Sequence, residues 1–397
     1  MMKAVRFHGR RDIRLDNVEI VQCGRGQVKV GALPRFESAK ISILSESVRL
    51  NRLSRGYVEA VLLPPCSSYN DETDSIGSDL HEYLGGASLI PTSPHPITNE
   101  KVPLTLGHEF SGTIEEVGED VYDIKVGSRV AVQPIIYDGT CNACKEGYIN
   151  CCDNNGFVGI SGWGGGLSEH VVVPRKAVYE IPDSVSMDIA ALVEPLSVAW
   201  HAVNTSPFKE GDSVLILGGG PIGLAVIQVL VAKGAKKIIV SEVAVRRREF
   251  ARQFGAHYVL DPTTDDIVPR VRELCDGSGV NVAFDAAGVQ AGLDQAVQAI
   301  RARGTLVNIA IWEKPATITP NWFCFRERRY MGVATYQGGD FQDVIDAIAS
   351  GRLNPGPMIT GKIRMDEVEE KGFKALVNDK DNHVKILIDI GLGVPRD

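Results

Sequence analysis

The chain has 397 residues, with 42 lysines and arginines against 50 aspartates and glutamates, a formal net charge of -8 and 44% hydrophobic residues. This length suits roughly two or three domains with cores of ordinary size. The charges are scattered and acidic on balance, which excludes the basic face that nucleic-acid binding requires. The longest apolar runs, such as residues 222–232, fall well short of the roughly 20 residues that span a bilayer.

The N-terminus, Met1-Met2-Lys3-Ala4-Val5-Arg6-Phe7-His8, has no apolar secretory core and passes straight into alternating sequence, so a cytoplasmic address is expected. Short strands are predicted at residues 3–7, 13–15 and 27–30, with Gly24 and Gly26 marking a turn. From residue 31 to 75 the period is lost, among Pro34, Pro64, Pro65 and Ser/Arg/Asn-rich pieces. An irregular segment of that length is out of keeping with a compact domain. It is expected to be a foreign insert, either retained intron sequence or a mispredicted exon boundary, with a lineage-specific insertion as the alternative.

Order resumes at Ile76-Gly77-Ser78-Asp79-Leu80-His81. Residues 101–134 and 167–173 read as close-spaced strands broken by glycines, which predicts a β-rich domain. Helical patterns follow at 187–194 and 198–203. From Ser213 onward buried strands at 214–217, 237–241 and 280–285 alternate with helices at 222–233 and 246–254. That alternation predicts a parallel sheet with helices on both faces. Residues 327–397 look mixed, with a helix at 341–349 and a last strand at 384–390. The expected organisation is a β-rich domain over 1–185, a doubly wound α/β domain over 186–326, and a return to the first domain over 327–397.

Gly218-Gly219-Gly220-Pro221-Ile222-Gly223 fits G-x-G-x-x-G after an apolar strand and at the start of an apolar helix. Gly218, Gly220 and Gly223 suit a tight turn, a close pyrophosphate and close helix packing, while Pro221 and Ile222 begin the helix whose N-terminus favours an anion. Glu242 closes the next strand, where a carboxylate can hold the adenosine ribose hydroxyls. It would repel a 2′-phosphate, which favours NAD over NADP. Arg246, Arg247 and Arg248 could accept such a phosphate; otherwise they cap and solvate a surface helix, with Arg247 assigned to the cofactor.

Four of the eight cysteines crowd into Cys141, Cys144, Cys151 and Cys152. The spacing of Cys141, Cys144 and Cys152 suits a structural, tetrahedral zinc, and Asp138 is the candidate fourth ligand. Cys23, Cys66, Cys275 and Cys324 read as ordinary thiols. Gly107-His108-Glu109 places an imidazole and a carboxylate side by side after a glycine. Alone that pair says little; beside a cysteine cluster and a nucleotide turn it reads as part of a metal site.

Together these residues resemble the zinc-dependent medium-chain dehydrogenase/reductase family, and more closely its butane-2,3-diol dehydrogenase and sorbitol dehydrogenase branch. The resemblance covers residues 1–30 and 76–397. It implies a Rossmann domain joined to a GroES-like catalytic domain, with NAD and Zn2+ as cofactors. In that family the counterparts of His108 and Glu109, and of Glu194 in Val193-Glu194-Pro195, lie at the catalytic zinc. Ser78 and His81 stand at the positions of a proton relay, and Asp79 at that of a brace for the metal-bound histidine. Residues 133–140 and 155–159 look like the diol enzymes in particular. The implied reaction takes hydride from a secondary alcohol or vicinal diol to NAD, with sorbitol or xylitol type polyols as the alternative substrates. The resemblance also implies a homo-dimer or homo-tetramer joined through Rossmann-sheet edges.

One residue departs from the family pattern. The cysteine that supplies the first catalytic zinc ligand is replaced by Ile76, which cannot bind a metal, and Cys66 is not favoured as a substitute. The expectation is one tightly held zinc and reduced activity, with a non-catalytic NAD-binding protein as the competing reading. Trp312-Glu313-Lys314-Pro315 either borders the nicotinamide or is a plain surface turn.

Overall fold

The computed structural model describes residues 1–31, 59–62, 78–379 and 381–390. Its nucleotide-binding half is a six-stranded parallel sheet in the order Tyr258–Leu260, Lys237–Ser241, Ser213–Leu217, Val280–Asp285, Ile300–Asn308 and Arg329–Gly332. The central strand carries Val214, Leu215, Ile216 and Leu217, all buried, because helices cover both of its faces. Strand order reverses beside Ser213–Leu217, and ligands of such sheets bind outside the strand ends at that point. The strand Arg329–Gly332 pairs in parallel with Ile300–Asn308 and carries the sheet past the edge expected at residue 326. The helices Ile267–Leu274 and Gln290–Ala299 had no clear signature in the sequence; each buries only a narrow apolar stripe.

The other half is built around Phe110–Val117, which pairs with Gln27–Gly31, Arg129–Val132 and Glu59–Leu62. Glu59–Leu62 also pairs with Lys385–Asp389, so the end of the chain is stitched into the N-terminal sheet. Two parts of the stretch read as irregular are strands; the rest of 31–75, and with it the expected foreign insert, lies outside the described residues. Gly31 closes a strand, and Glu59-Ala60-Val61-Leu62 forms another between two waiting edges. Its apolar residues were hidden by the proline-rich and serine-rich sequence around them.

Phe7, Val30, Leu80, Leu106, Phe110 and Ile388 share the core of this half. A second core joins the helix Val193–Thr205 to Pro221–Ala232 and Gly338–Ala349 through Leu196, Val226 and Phe341. The connection is also polar. His201 Nδ1 lies 2.7 Å from Asp340 Oδ2, and the Asn150 amide donates to the Ala334 carbonyl at 2.8 Å while lying 3.5 Å from His201 Nε2.

Candidate active site and metal centres

His108 and Glu109 sit between the strands Leu104–Thr105 and Phe110–Val117. Gly107 has a φ of +97°, and a Cβ added to Gly159 would come within 2.1 Å of the Gly107 carbonyl oxygen. Only glycine allows that backbone contact, and it fixes the approach of His108 to the core. The helix Val193–Thr205 brings Glu194 to the same place. Donor atoms of His108, Glu109 and Glu194 all lie within 4.8 Å of one another, and all three residues are buried.

Asp79, in the helix Ser78–Gly85, is buried with Oδ2 3.5 Å from His108 Nδ1. That is long for a hydrogen bond, and among the described residues neither oxygen of Asp79 has a hydrogen-bond partner. With Nδ1 on the Asp79 side, His108 has Nε2 on the Glu109 side, 3.9 Å from Oε1. The other oxygen of Glu109 accepts from Lys385 Nζ at 2.6 Å, and Lys385 is fully buried.

The carboxylates of Asp79, Glu109 and Glu194 outnumber the single ammonium of Lys385. Protons answer that excess where no cation does. Burial pulls the His108 imidazole down, yet the Asp79 charge and its neighbours lift it to about 9. Burial, with the Glu109 charge, pushes Glu194 up to about 7, and burial beside Glu194 raises the Tyr336 phenol. An uncompensated buried charge is costly, so this donor set fits a divalent cation with room for a further ligand.

Asp138, Cys141, Cys144 and Cys152 form the second cluster, again with donor atoms within 4.8 Å of one another. The amides of Asp138 and Asn154 donate to Cys152 Sγ at 3.3 and 3.4 Å, and the Cys144 amide donates to Cys141 Sγ at 3.4 Å. Hydrogen bonds from the Asp153 and Cys144 amides lower the Cys141 thiol, while burial pushes Cys144 up to about 12. Asp138 is itself held as an anion by the Cys141 and Thr140 amides and by Asn154. The short helix Asn142–Lys145 buries no residue, so this lobe has little core of its own. A metal would supply the missing cohesion. Cys151 is exposed, and Cys23, Cys275 and Cys324 are free thiols away from the cluster.

The nucleotide turn follows its sequence closely. Gly218 takes a φ of +92°, and a Cβ on Gly223 would fall 2.0 Å from the Gly218 carbonyl oxygen. Gly220 caps the helix that begins with Pro221 and Ile222. Glu242 Oε2 accepts from the Gly219 amide at 2.6 Å, and Oε1 from the Ala244 amide at 2.8 Å, which aims the carboxylate at the turn. The three arginines behave differently from one another. Arg247 is buried at 1% exposure and Arg248 pairs with Asp261 at 2.8 Å, which leaves Arg246 as the exposed one, paired with Glu249.

Ser78 opens its helix, and its side chain lies outside the described residues, as do Ile76 and Cys66. His81, on the same helix, lines a cleft of about 480 Å³ between the two halves, opposite Trp312, Glu313 and Lys314. Lys385 and Tyr336 were missed in the sequence. Lys385 did leave a signal, as the lone charge opening the apolar run Ile386-Leu387-Ile388.

A family model for the zinc-binding dehydrogenases matches residues 221–350, and one for the alcohol dehydrogenase GroES-like domain matches residues 73–183. The chain is 38% identical over 389 residues to (R,R)-butanediol dehydrogenase of Bacillus subtilis, covering 98% of this chain and 99% of that one. It is 42% identical over 320 residues to (R,R)-butanediol dehydrogenase of Neisseria gonorrhoeae, covering 80% and 90%. The crystal structure of 2R,3R-butanediol dehydrogenase from Bacillus subtilis superposes with a TM-score of 0.84 at 37% identity, covering 98% of this chain and 100% of that one.

Proposed function

From the premise that this chain belongs to the zinc-binding dehydrogenases with an alcohol dehydrogenase GroES-like domain, we propose that it interconverts a vicinal diol and its hydroxyketone, butane-2,3-diol and acetoin, with NAD. The observation that carries this reading is the buried trio of His108, Glu109 and Glu194 with its excess of negative charge. Zinc supplies Lewis acidity toward an alcohol oxygen and NAD accepts the hydride.

The chain's own groups do the rest. His108, Glu109 and Glu194 hold the metal, and Asp79 orients the His108 ring. Lys385 balances the Glu109 charge. The Gly218–Gly223 turn cradles the pyrophosphate, and Glu242, fixed by the Gly219 and Ala244 amides, would hold the adenosine ribose hydroxyls. Arg247 supports that site from within. Ser78 and His81 carry the alcohol proton toward the cleft mouth. Asp138, Cys141, Cys144 and Cys152 hold a second zinc that braces the lobe.

Ile76 in place of the family's cysteine leaves the first site with harder ligands and a weaker grip, and Lys385 already engages one oxygen of Glu109. These two features favour the competing reading of an NAD-binding protein with little catalysis. Assaying NAD reduction with butane-2,3-diol and with sorbitol, together with zinc content per chain, separates the readings. One tight zinc and weak, diol-preferring activity is expected. Two tight zincs with full activity would remove the role given to Ile76, and sorbitol preference would move the substrate to polyols.

We also assign a homo-dimer or homo-tetramer joined at the Arg329–Gly332 sheet edge, where Tyr330 is 41% exposed. No helix among the described residues is long and apolar enough to cross a membrane; a cytoplasmic address is part of the same proposal.

A further inference from the structure

His81 is held on one side by its own half of the molecule. Ser88 Oγ lies 3.0 Å and Glu82 Oε1 3.4 Å from His81 Nδ1. Glu82 is fully buried and accepts the amides of Ser88, Leu89 and Ile90 at 2.8, 2.9 and 3.0 Å. Burial opposes its charge, but these bonds and His81 outweigh it and hold the carboxyl down at about 2. Glu82 is therefore held as an anion beside the ring.

The other ring nitrogen faces across the cleft. His81 Nε2 lies 3.6 Å from Oε1 of Glu313, which follows the strand Ile300–Asn308 in the other half. The Glu313 backbone is exposed, yet its side chain keeps only 18% of its accessible surface. The segment is anchored next door, where Trp312 Nε1 donates to Asn308 Oδ1 at 2.9 Å. The charged groups around the imidazole are Glu82 on its own helix and Glu313 and Lys314 on the opposite wall.

We propose that Glu313 is a positioning residue for His81, holding the imidazole from across the cleft and supplying the counter-charge when the ring carries a proton. This rests on His81 acting as the relay base. It gives Trp312-Glu313-Lys314-Pro315 a function beyond that of a turn. The His81 ring is lifted above its ordinary range first by Glu82, against burial, and then by the Glu313 charge. Part of that lift comes from the other domain, so it depends on how closely the two halves approach.

The test uses the full chain and its E313Q and E313D variants, with imidazole titration followed by NMR of histidine-labelled protein and His81 assigned with H81N. In E313Q the His81 titration moves to lower pH, and E313D recovers part of the shift. In steady-state assays E313Q moves the acid limb of the kcat profile the same way and changes kcat by about two- to fivefold, with the KM for NAD steady. A His81 titration identical in wild type and E313Q overturns the proposal. The relay reading has its own readout, because an H81N enzyme that keeps the wild-type acid limb removes His81 from the relay while the NMR coupling to Glu313 still stands or falls by itself.

Discussion

Lys385 Nζ and Glu109 Oε2 meet at 2.6 Å, from positions 276 residues apart in sequence, and both side chains are buried. Breaking a buried ion pair from one side leaves the other charge stranded, at a cost of about 3 to 5 kcal/mol. K385M is expected to lose that much stability in chelator-treated protein, measured by urea denaturation. Added zinc should restore part of it by neutralising Glu109. A loss under about 1 kcal/mol would mean that the pair adds little to stability.

Asp138 is the candidate oxygen ligand in an otherwise sulfur cluster. C144S and C152S should each release one zinc per chain and lower the melting temperature. D138C should retain that zinc against chelators longer than wild type, since a fourth thiolate suits the ion. Metal analysis after timed chelation reads both outcomes, and equal retention in D138C and wild type would remove Asp138 from the ligand set.

Glu242 holds the Gly219 amide while remaining beside the nucleotide turn. Its replacement by alanine removes charged hydrogen bonds, each worth about 1.5 to 3 kcal/mol, so NAD should bind about tenfold to a hundredfold more weakly. NADP should suffer less, because the repelling charge is gone. Fluorescence titration with both reduced cofactors checks the pair of expectations.

Glu82 titrates near 2 in the folded protein against an ordinary value of 4.5. A depressed carboxyl contributes stability that is fully present above pH 4.5 and disappears as pH falls toward 2. The shift corresponds to about 3 kcal/mol. E82Q should therefore be less stable at neutral pH and show a flatter loss of stability between those two values. Denaturant midpoints measured across the acid range test it, and parallel curves for both proteins would argue against a charged Glu82.

The nucleotide turn was legible because its constraints are local. Gly218 needs a positive φ, Gly223 leaves no room for a Cβ, and Glu242 closes the neighbouring strand. The two groups of candidate metal donors that the structure brings together were legible through motif and spacing. Lys385 was not, since its partner comes from the far end of the chain and only the assembled sheet brings them together. The strand Glu59–Leu62 was lost for a related reason, as it is recruited by two edges that its own sequence does not reveal. Arg247, assigned to the cofactor with a solvated helix face as the alternative, is buried beside the glycine turn, which rules out the solvated reading for that residue. The contact between His81 and Glu313 needed both domains in place.

Asn150 belongs to the cysteine lobe, yet it grips the main chain at Ala334 and meets His201, which is itself tied to Asp340. The lobe is thus a strut between the halves of the molecule rather than a pendant loop. A metal held, as proposed, by Asp138, Cys141, Cys144 and Cys152 would tighten the joint that sets how the cofactor half faces His108, so an ion that touches no substrate would help to govern the alignment of the reacting partners.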